Sequence, residues 1–354
     1  MTNGEAPPVR RTPDSLVGRL RRLASQRLFQ GRVRLGDGRT LEPIRPEDLD
    51  DLRRRFPRPK FFVFGHPRSG TTLLARLVRA HPQVHCNWQV QFFSSRGPIP
   101  YFTSPSFDHW LRNSSNRLVT GWNPTAALLR ACCDVILERE GEKAGKPIVG
   151  DKSPNGNGAQ AIEWLAAVYP DAHLIYIVRD GRDTVLSRRI QSFLDAPQNL
   201  GRADRKVRAA FIRDPQPFLE KRRSIFTADW LRQAAERWGQ DVDGSVAAGR
   251  SLFATAFAVV RYEDLLADPA GVMRSLWSFL GAATDSPSLD ELLGDALHEN
   301  PEAEWHSRFP YDFVQKLPRG MPGGWESLFT ASDRRLFERA AGPTLAAWNY
   351  PRGS

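Results

Sequence analysis

Cysteine is scarce in this chain: three in 354 residues, Cys86, Cys132 and Cys133. An odd count without metal-type spacing excludes a zinc knot and gives no disulfide framework, so the thiols read as reduced and the protein as cytoplasmic. No apolar run reaches the roughly 18 residues that a membrane-spanning helix needs. The polar, arginine-rich N-terminus has no apolar h-region, so no signal peptide is expected. Repeats, long low-complexity linkers and metal-ligand clusters are missing too, and no metal is expected. Lysine is rare, with seven against 43 arginines, so a lysine at a special position carries information.

Charge is plentiful but uneven. The net is +10, and residues 1–60 hold 15 Lys or Arg against 8 Asp or Glu, which places +7 of it there and leaves +3 for the other 294 residues. The surplus marks a basic N-terminal extension over residues 1–59. Leu16, Leu20, Leu23 and Leu28 fall near helical spacing among Arg19, Arg21, Arg22 and Arg27. Such a helix packs on the main domain or makes weak contact with an anionic membrane surface. No nucleic-acid-binding motif accompanies the charge, so no specific nucleic-acid partner is expected. Oligomeric state is not written in this sequence.

From residue 60 short apolar runs alternate with helical patterns. FFVFG (61–65), PIVGDKS (147–153) and HLIYIVRD (173–180) read as strands, and TAFAVVRYEDLL (255–266) as strand and turn. Helical patterns follow the first, with Leu73, Leu74, Leu77 and Val78, and recur at 126–140, 159–169 and in DTVLSRRIQSFL. PAGVMRSLWSFLG opens with a proline at its first turn. Wholly apolar strands separated by helices predict an α/β fold, a P-loop-type parallel sheet flanked by helices on both faces, as one domain over 60–350.

Parallel sheets bind ligands at the carboxyl ends of their strands. Three segments qualify, GHPRSGTT (65–72), GDKSP (150–154) and VRDGRD (178–183), and each brings a cation: Arg68, Lys152 and Arg179. The first keeps the two glycines of G-x-x-x-x-G-K-[ST], Gly65 and Gly70, but Thr71 replaces the lysine that reaches a triphosphate's outer phosphates. A helix N-terminus, the Ser69, Thr71 and Thr72 hydroxyls and the Arg68 fork all suit a phosphate-like group. Asp180 follows its strand as a magnesium-holding acid would, but Arg179 beside it competes for the carboxylate. A ligand with a 5′-phosphate and a further anionic group fits better than MgATP.

These residues resemble the sulfotransferases that use 3′-phosphoadenosine 5′-phosphosulfate (PAPS). Their loop P-[KR]-S-G-T-T is matched by Pro67 to Thr72, and their strand-end Arg followed by Ser eight residues later by Arg179 and Ser187. VRYEDLLADP (260–269), PRGMPGGW (318–325) and the ending Asn349-Tyr350 are similar to later parts of the family. The likeness covers about residues 60–350 and lies nearest the tyrosylprotein and carbohydrate branch. It implies a PAPS site formed by Arg68, Ser69, Gly70, Thr71, Thr72, Arg179, Ser187, Tyr262, Arg319 and Gly320, with no metal. It also implies in-line sulfuryl transfer to a hydroxyl or amine of a small-molecule, glycan or peptide acceptor, with Arg68 and Lys152 holding the charge that develops.

The resemblance breaks at the general base. Relatives of the tyrosylprotein branch carry Glu after the first helix, in C-G-E-E, where this chain reads CNWQ, Cys86 to Gln89. Gln89 cannot take a proton, which leaves Asp151, His109 and Asp108 as candidates, or an acceptor that is already nucleophilic. Eight aromatics in residues 87–122, about twice the chain's 10%, make that segment a candidate acceptor pocket or a separate small core. Two competing functions are a protein that binds the desulfated product 3′-phosphoadenosine 5′-phosphate (PAP) without transfer, and a P-loop kinase.

Overall fold

The computed structural model describes residues 33–34, 40–94, 96–113, 123–154, 158–286, 288–298, 317 and 320–351. The basic helix expected around Leu16–Leu28 lies outside them, and so does Arg319. Five parallel strands form the central sheet: β1 (Lys60–Gly65), β2 (Val84–Trp88), β3 (Ile148–Lys152), β4 (His173–Val178) and β5 (Phe257–Arg261), in the order β2-β3-β1-β4-β5. β2 escapes the pattern read from sequence. Its five residues, VHCNW, are too few and too mixed to stand out, and it is an edge strand with β3 as its neighbour.

Alternation along the strands builds two cores. Phe61 and Val63 of β1 face α2 (Thr71–Ala80), whereas Phe62 and Phe64 face the opposite layer. That second layer includes α3 (Thr125–Ala144), α4 (Ala159–Val168), α5 (Gly181–Leu194) and α6 (Ala228–Phe253). The chain then runs through α7 (Tyr262–Ala267) and α8 (Pro269–Phe279), which join α2 on the first face, and ends in α9 (Ala331–Ala347) packed on α6. The four β1 phenylalanine and valine side chains are almost wholly buried, worth about 1.5–3 kcal/mol each. With helices over both faces, a continuous apolar run is what the central strands require.

The domain begins earlier than residue 60. Leu41, Ile44 and Leu49 are buried in the main core, and α1 (Pro46–Arg55) packs on α3. Residues 41–56 therefore belong to the folded unit rather than to a basic extension. Their hydrophobic positions are widely spaced among charges, so composition masked them.

β1 is flanked by β3 on one side and β4 on the other. That order makes the turns after these three strands neighbours along one rim.

Candidate active site

The turn after β1 bends tightly into the start of α2. Arg68 and Gly70 both have left-handed backbones, φ 75° and 91°, and Ser69 N–H closes the turn onto the His66 carbonyl at 3.0 Å. Gly70 is required twice over: its φ is unfavourable for side chains, and a Cβ there would lie 2.3 Å from the Tyr262 ring. The turn feeds directly into α2, whose first turn has no acidic residue and no side-chain cap. Its free amides and the positive end of its dipole therefore remain available to a ligand. By contrast α5 is capped by the Asp180 carboxylate, which accepts from Arg182 N–H.

The cations read from the three turns do gather here. Arg68 Nε donates to Ser187 Oγ at 2.9 Å, which links the first turn to α5. Arg179 donates to the Arg68 carbonyl and to the Met321 carbonyl, both at 3.4 Å, and lies 4.4 Å over the Tyr262 ring. Lys152 donates to Thr72 Oγ1 at 3.2 Å and Gln89 Oε1 at 3.3 Å, with its ammonium 4.7 Å from the Trp88 ring centre. Burial pushes the Lys152 pKa down, and nearby Arg68 adds to the shift. Tyr262 donates to the Gly320 carbonyl at 2.8 Å, closing the C-terminal segment onto the rim. Thr71 is buried at the head of α2.

Two donors in this cluster are buried and have no protein partner, Ser69 Oγ and Arg179 Nε. A buried donor without an acceptor costs about 1–3 kcal/mol, so their retention at one rim favours a site that an anionic ligand completes.

The acid–base candidates do not converge on it. Asp151 is buried, and burial raises its pKa. Its oxygens accept from Val90 N–H at 3.0 Å and Ser153 O–H at 2.7 Å. Both oxygens hold the turn after β2, so Asp151 is structural here rather than a base. That turn carries left-handed Gln89 and Gln91, φ 62° and 63°, and the Asp151–Ser153 pair clamps it through Val90 and Gln91. His109 is exposed on the short helix Pro105–Asn113, as is Asp108, which pairs with Arg112 at 2.8 Å.

Asp180 is taken by Arg182, through Nε at 3.0 Å and Nη2 at 2.7 Å, not by Arg179 as sequence adjacency suggests. Along a helix start the side chain two residues on can fold back over the cap, while Arg179, just past the end of β4, points into the rim.

The aromatic segment divides instead of forming one pocket. Phe92 and Phe93 enter the main core, Phe93 edge-on to Phe62 at 5.4 Å. Trp88, Tyr101 and Trp110 are exposed, and Trp122 lies outside the described residues.

Two partners escaped sequence reading. His66, within the quoted loop, is buried and pairs through Nδ1 with Asp241 of α6 at 2.9 Å; burial lowers its pKa. Asp183, four residues after Arg179, accepts from Gly323 N–H at 2.9 Å and Trp325 N–H at 2.7 Å. Its place in the first turn of α5 was visible, but its partners lie 140 residues downstream. Among the described residues no group of acidic, His and Cys side chains could hold a metal.

Comparison with known proteins gives a consistent result. A model of the sulfotransferase family matches residues 59–286. The protein-tyrosine sulfotransferase of Drosophila melanogaster is 26% identical over 228 residues, 63% of this chain and 38% of that protein. Protein-tyrosine sulfotransferase 1 of Danio rerio is 27% identical over 241 residues, 67% of this chain and 58% of its own length. The matches thus span less than two thirds of these relatives. Mouse sulfotransferase SULT7A1 complexed with PAP superposes with a TM-score of 0.45 at 16% identity, over 83% of this chain and 89% of that one.

Proposed function

The chain belongs to the sulfotransferase family, and from that premise we propose that it moves a sulfuryl group from PAPS to an acceptor hydroxyl or amine. The observation that carries this reading is the rim itself. Arg68, Lys152 and Arg179 meet at the uncapped head of α2, with Ser69 Oγ and Arg179 Nε buried and unpartnered. Those donors fit a ligand with anionic oxygens at two places. Pro67–Thr72 would hold the 5′-phosphosulfate, and Arg179, Ser187 and the Gly320 segment the 3′-phosphate end. PAPS supplies the sulfuryl group, whose bond to the bridging oxygen breaks as the acceptor's bond to sulfur forms. Arg68 and Lys152 then stabilise the charge left on the departing phosphate, as fixed cations that need no rearrangement.

The proton is the discriminating detail. Lys152 is bonded to Gln89, not to a carboxylate, and Asp151 is engaged elsewhere. This arrangement suits an acceptor that is already nucleophilic: an acidic phenol that enters as its phenolate, or an amine whose lone pair attacks and whose proton passes to water after the transfer. The relatives are named for protein tyrosine, so a tyrosine-bearing peptide is the first acceptor to assay. The cytoplasmic location belongs to the same proposal, supported by three free thiols, two of them buried.

Gln89 also supports a second reading, a PAP-binding protein without transfer. Thermal unfolding with PAP, ADP, and ADP plus Mg²⁺ separates the classes. A ligand at a hundred times its dissociation constant stabilises by about 2.7 kcal/mol. PAP should stabilise and ADP with Mg²⁺ should not; the reverse would return the loop to the triphosphate class. Sulfated product from PAPS and the peptide then distinguishes enzyme from binder.

A further inference from the structure

We propose that Asp183 is a positioning residue, a clasp that holds the segment 320–325 against Arg179 and Tyr262. The coupling to ligand binding rests on the PAPS reading above; the clasp itself does not. The segment runs from Gly320 to Trp325 and begins a short 3-10 turn at Gly324 that has no side-chain cap of its own. Asp183 supplies that cap from α5. One of its oxygens takes Gly323 N–H and the other Trp325 N–H. Two further contacts bring the segment to the rim: Tyr262 O–H on the Gly320 carbonyl, and Arg179 Nη2 on the Met321 carbonyl. Trp325 is buried beneath it with the Arg182 guanidinium 4.0 Å from its ring. The junction between β4 and α5 thus presents Arg179 and Asp183 side by side, 3.9 Å apart, the first toward the anion site and the second toward the segment that reaches it.

The carboxylate is an unfavourable choice for stability alone. It is 3% exposed, and burial, with Asp180 nearby, pushes its pKa up to about 6 although Arg179 opposes the shift. Asparagine would fill the same space without a buried charge, but its amide offers one acceptor oxygen where two N–H groups must be met. A buried carboxylate satisfied by two backbone donors, one on each side of Gly324, is what a fixed strap needs.

The test compares wild type with Asp183→Asn at pH 7, reading amide hydrogen exchange at Gly323 and Trp325, unfolding temperature, and PAP affinity. Exchange at both amides should rise about tenfold or more as a charge-assisted bond is lost. Exchange in β1 and β4 should not change, and the unfolding temperature should hold or rise. PAP should bind roughly tenfold more weakly, and Asp183→Glu, which keeps the charge, should recover part of both losses. Unchanged exchange at Gly323 and Trp325, or a rise matched by a lower unfolding temperature, would overturn the clasp. Faster exchange with unaltered PAP affinity would overturn its positioning role. A wild type that binds no PAP would sink the functional reading, while the exchange measurement still decides whether the clasp exists.

Discussion

Both ends of β1 bury cations, and the two ends treat them differently. At its start Lys60 donates to the Phe56 and Arg58 carbonyls at 3.1 and 2.7 Å and to Glu138 at 2.7 Å. Beside it Arg130 binds both oxygens of Asp171 and also Asp134, and Tyr169 O–H completes Asp134 at 2.8 Å. At the other end Lys152 meets two neutral oxygens and Arg179 two carbonyls, with its Nε and the Ser69 hydroxyl unpartnered. One end gives its cations close carboxylates and is closed; at the other, Asp183 stands 3.9 Å from Arg179 with its oxygens taken by the Gly323 and Trp325 amides. Charge content alone does not separate the two ends, whereas the distance to carboxylate partners does.

The largest test of that contrast removes a partner from the closed end. Arg130→Ala leaves Asp171 and Asp134 buried beside a missing cation and should destabilise the fold by about 3–5 kcal/mol, read by urea unfolding. Burial would push Asp171 up, but Arg130 and Arg53 more than offset it and hold it at about 2. Its pairing therefore stabilises above the ordinary carboxylate pKa, and that contribution is lost as pH falls toward 2. The variant should show less acid sensitivity in that window, besides its lower stability.

At the open end Arg179→Ala should weaken PAP binding by about 1.5–3 kcal/mol, measured by calorimetry, yet shift unfolding by less than about 1 kcal/mol. Arg179 is held by two carbonyls at 3.4 Å with Asp183 at 3.9 Å, so its loss uncovers less charge than losing Arg130 from both Asp171 and Asp134. A fall in stability as large as that of Arg130→Ala would erase the distinction between the two ends.

At Asp183 the contrast is read through pH. Its folded pKa is raised to about 6, so the protonated form is favoured on folding. Its stabilising contribution is complete below the unfolded pKa near 4 and is lost as pH rises through 6. Wild type should lose about 2 kcal/mol relative to Asp183→Asn between pH 4 and 7. A flat difference across that range would mean the carboxylate is better solvated than its burial indicates.

Much of the site was legible because its parts are local. Gly65, Gly70, Thr71 and Arg68 fall within eight residues, and Arg179 and Ser187 sit on one strand–helix junction. What escaped was non-local or weakly patterned. β2 is a short edge strand, so its apolar pattern is thin. Asp151 is adjacent to Lys152, but strand alternation points the two side chains to opposite faces, one into the rim and the other toward the turn after β2. Asp183 and His66 were within quoted motifs, yet their partners, Gly323, Trp325 and Asp241, are remote in sequence.

By itself the sequence determined the layered parallel fold and the three cationic turns, because apolar runs and glycine spacing act through local backbone geometry. Only the tertiary structure decided which charges are paired. Pairing depends on the strand order β2-β3-β1-β4-β5, which sets the three turns on one rim and closes it with a segment from the far end of the chain.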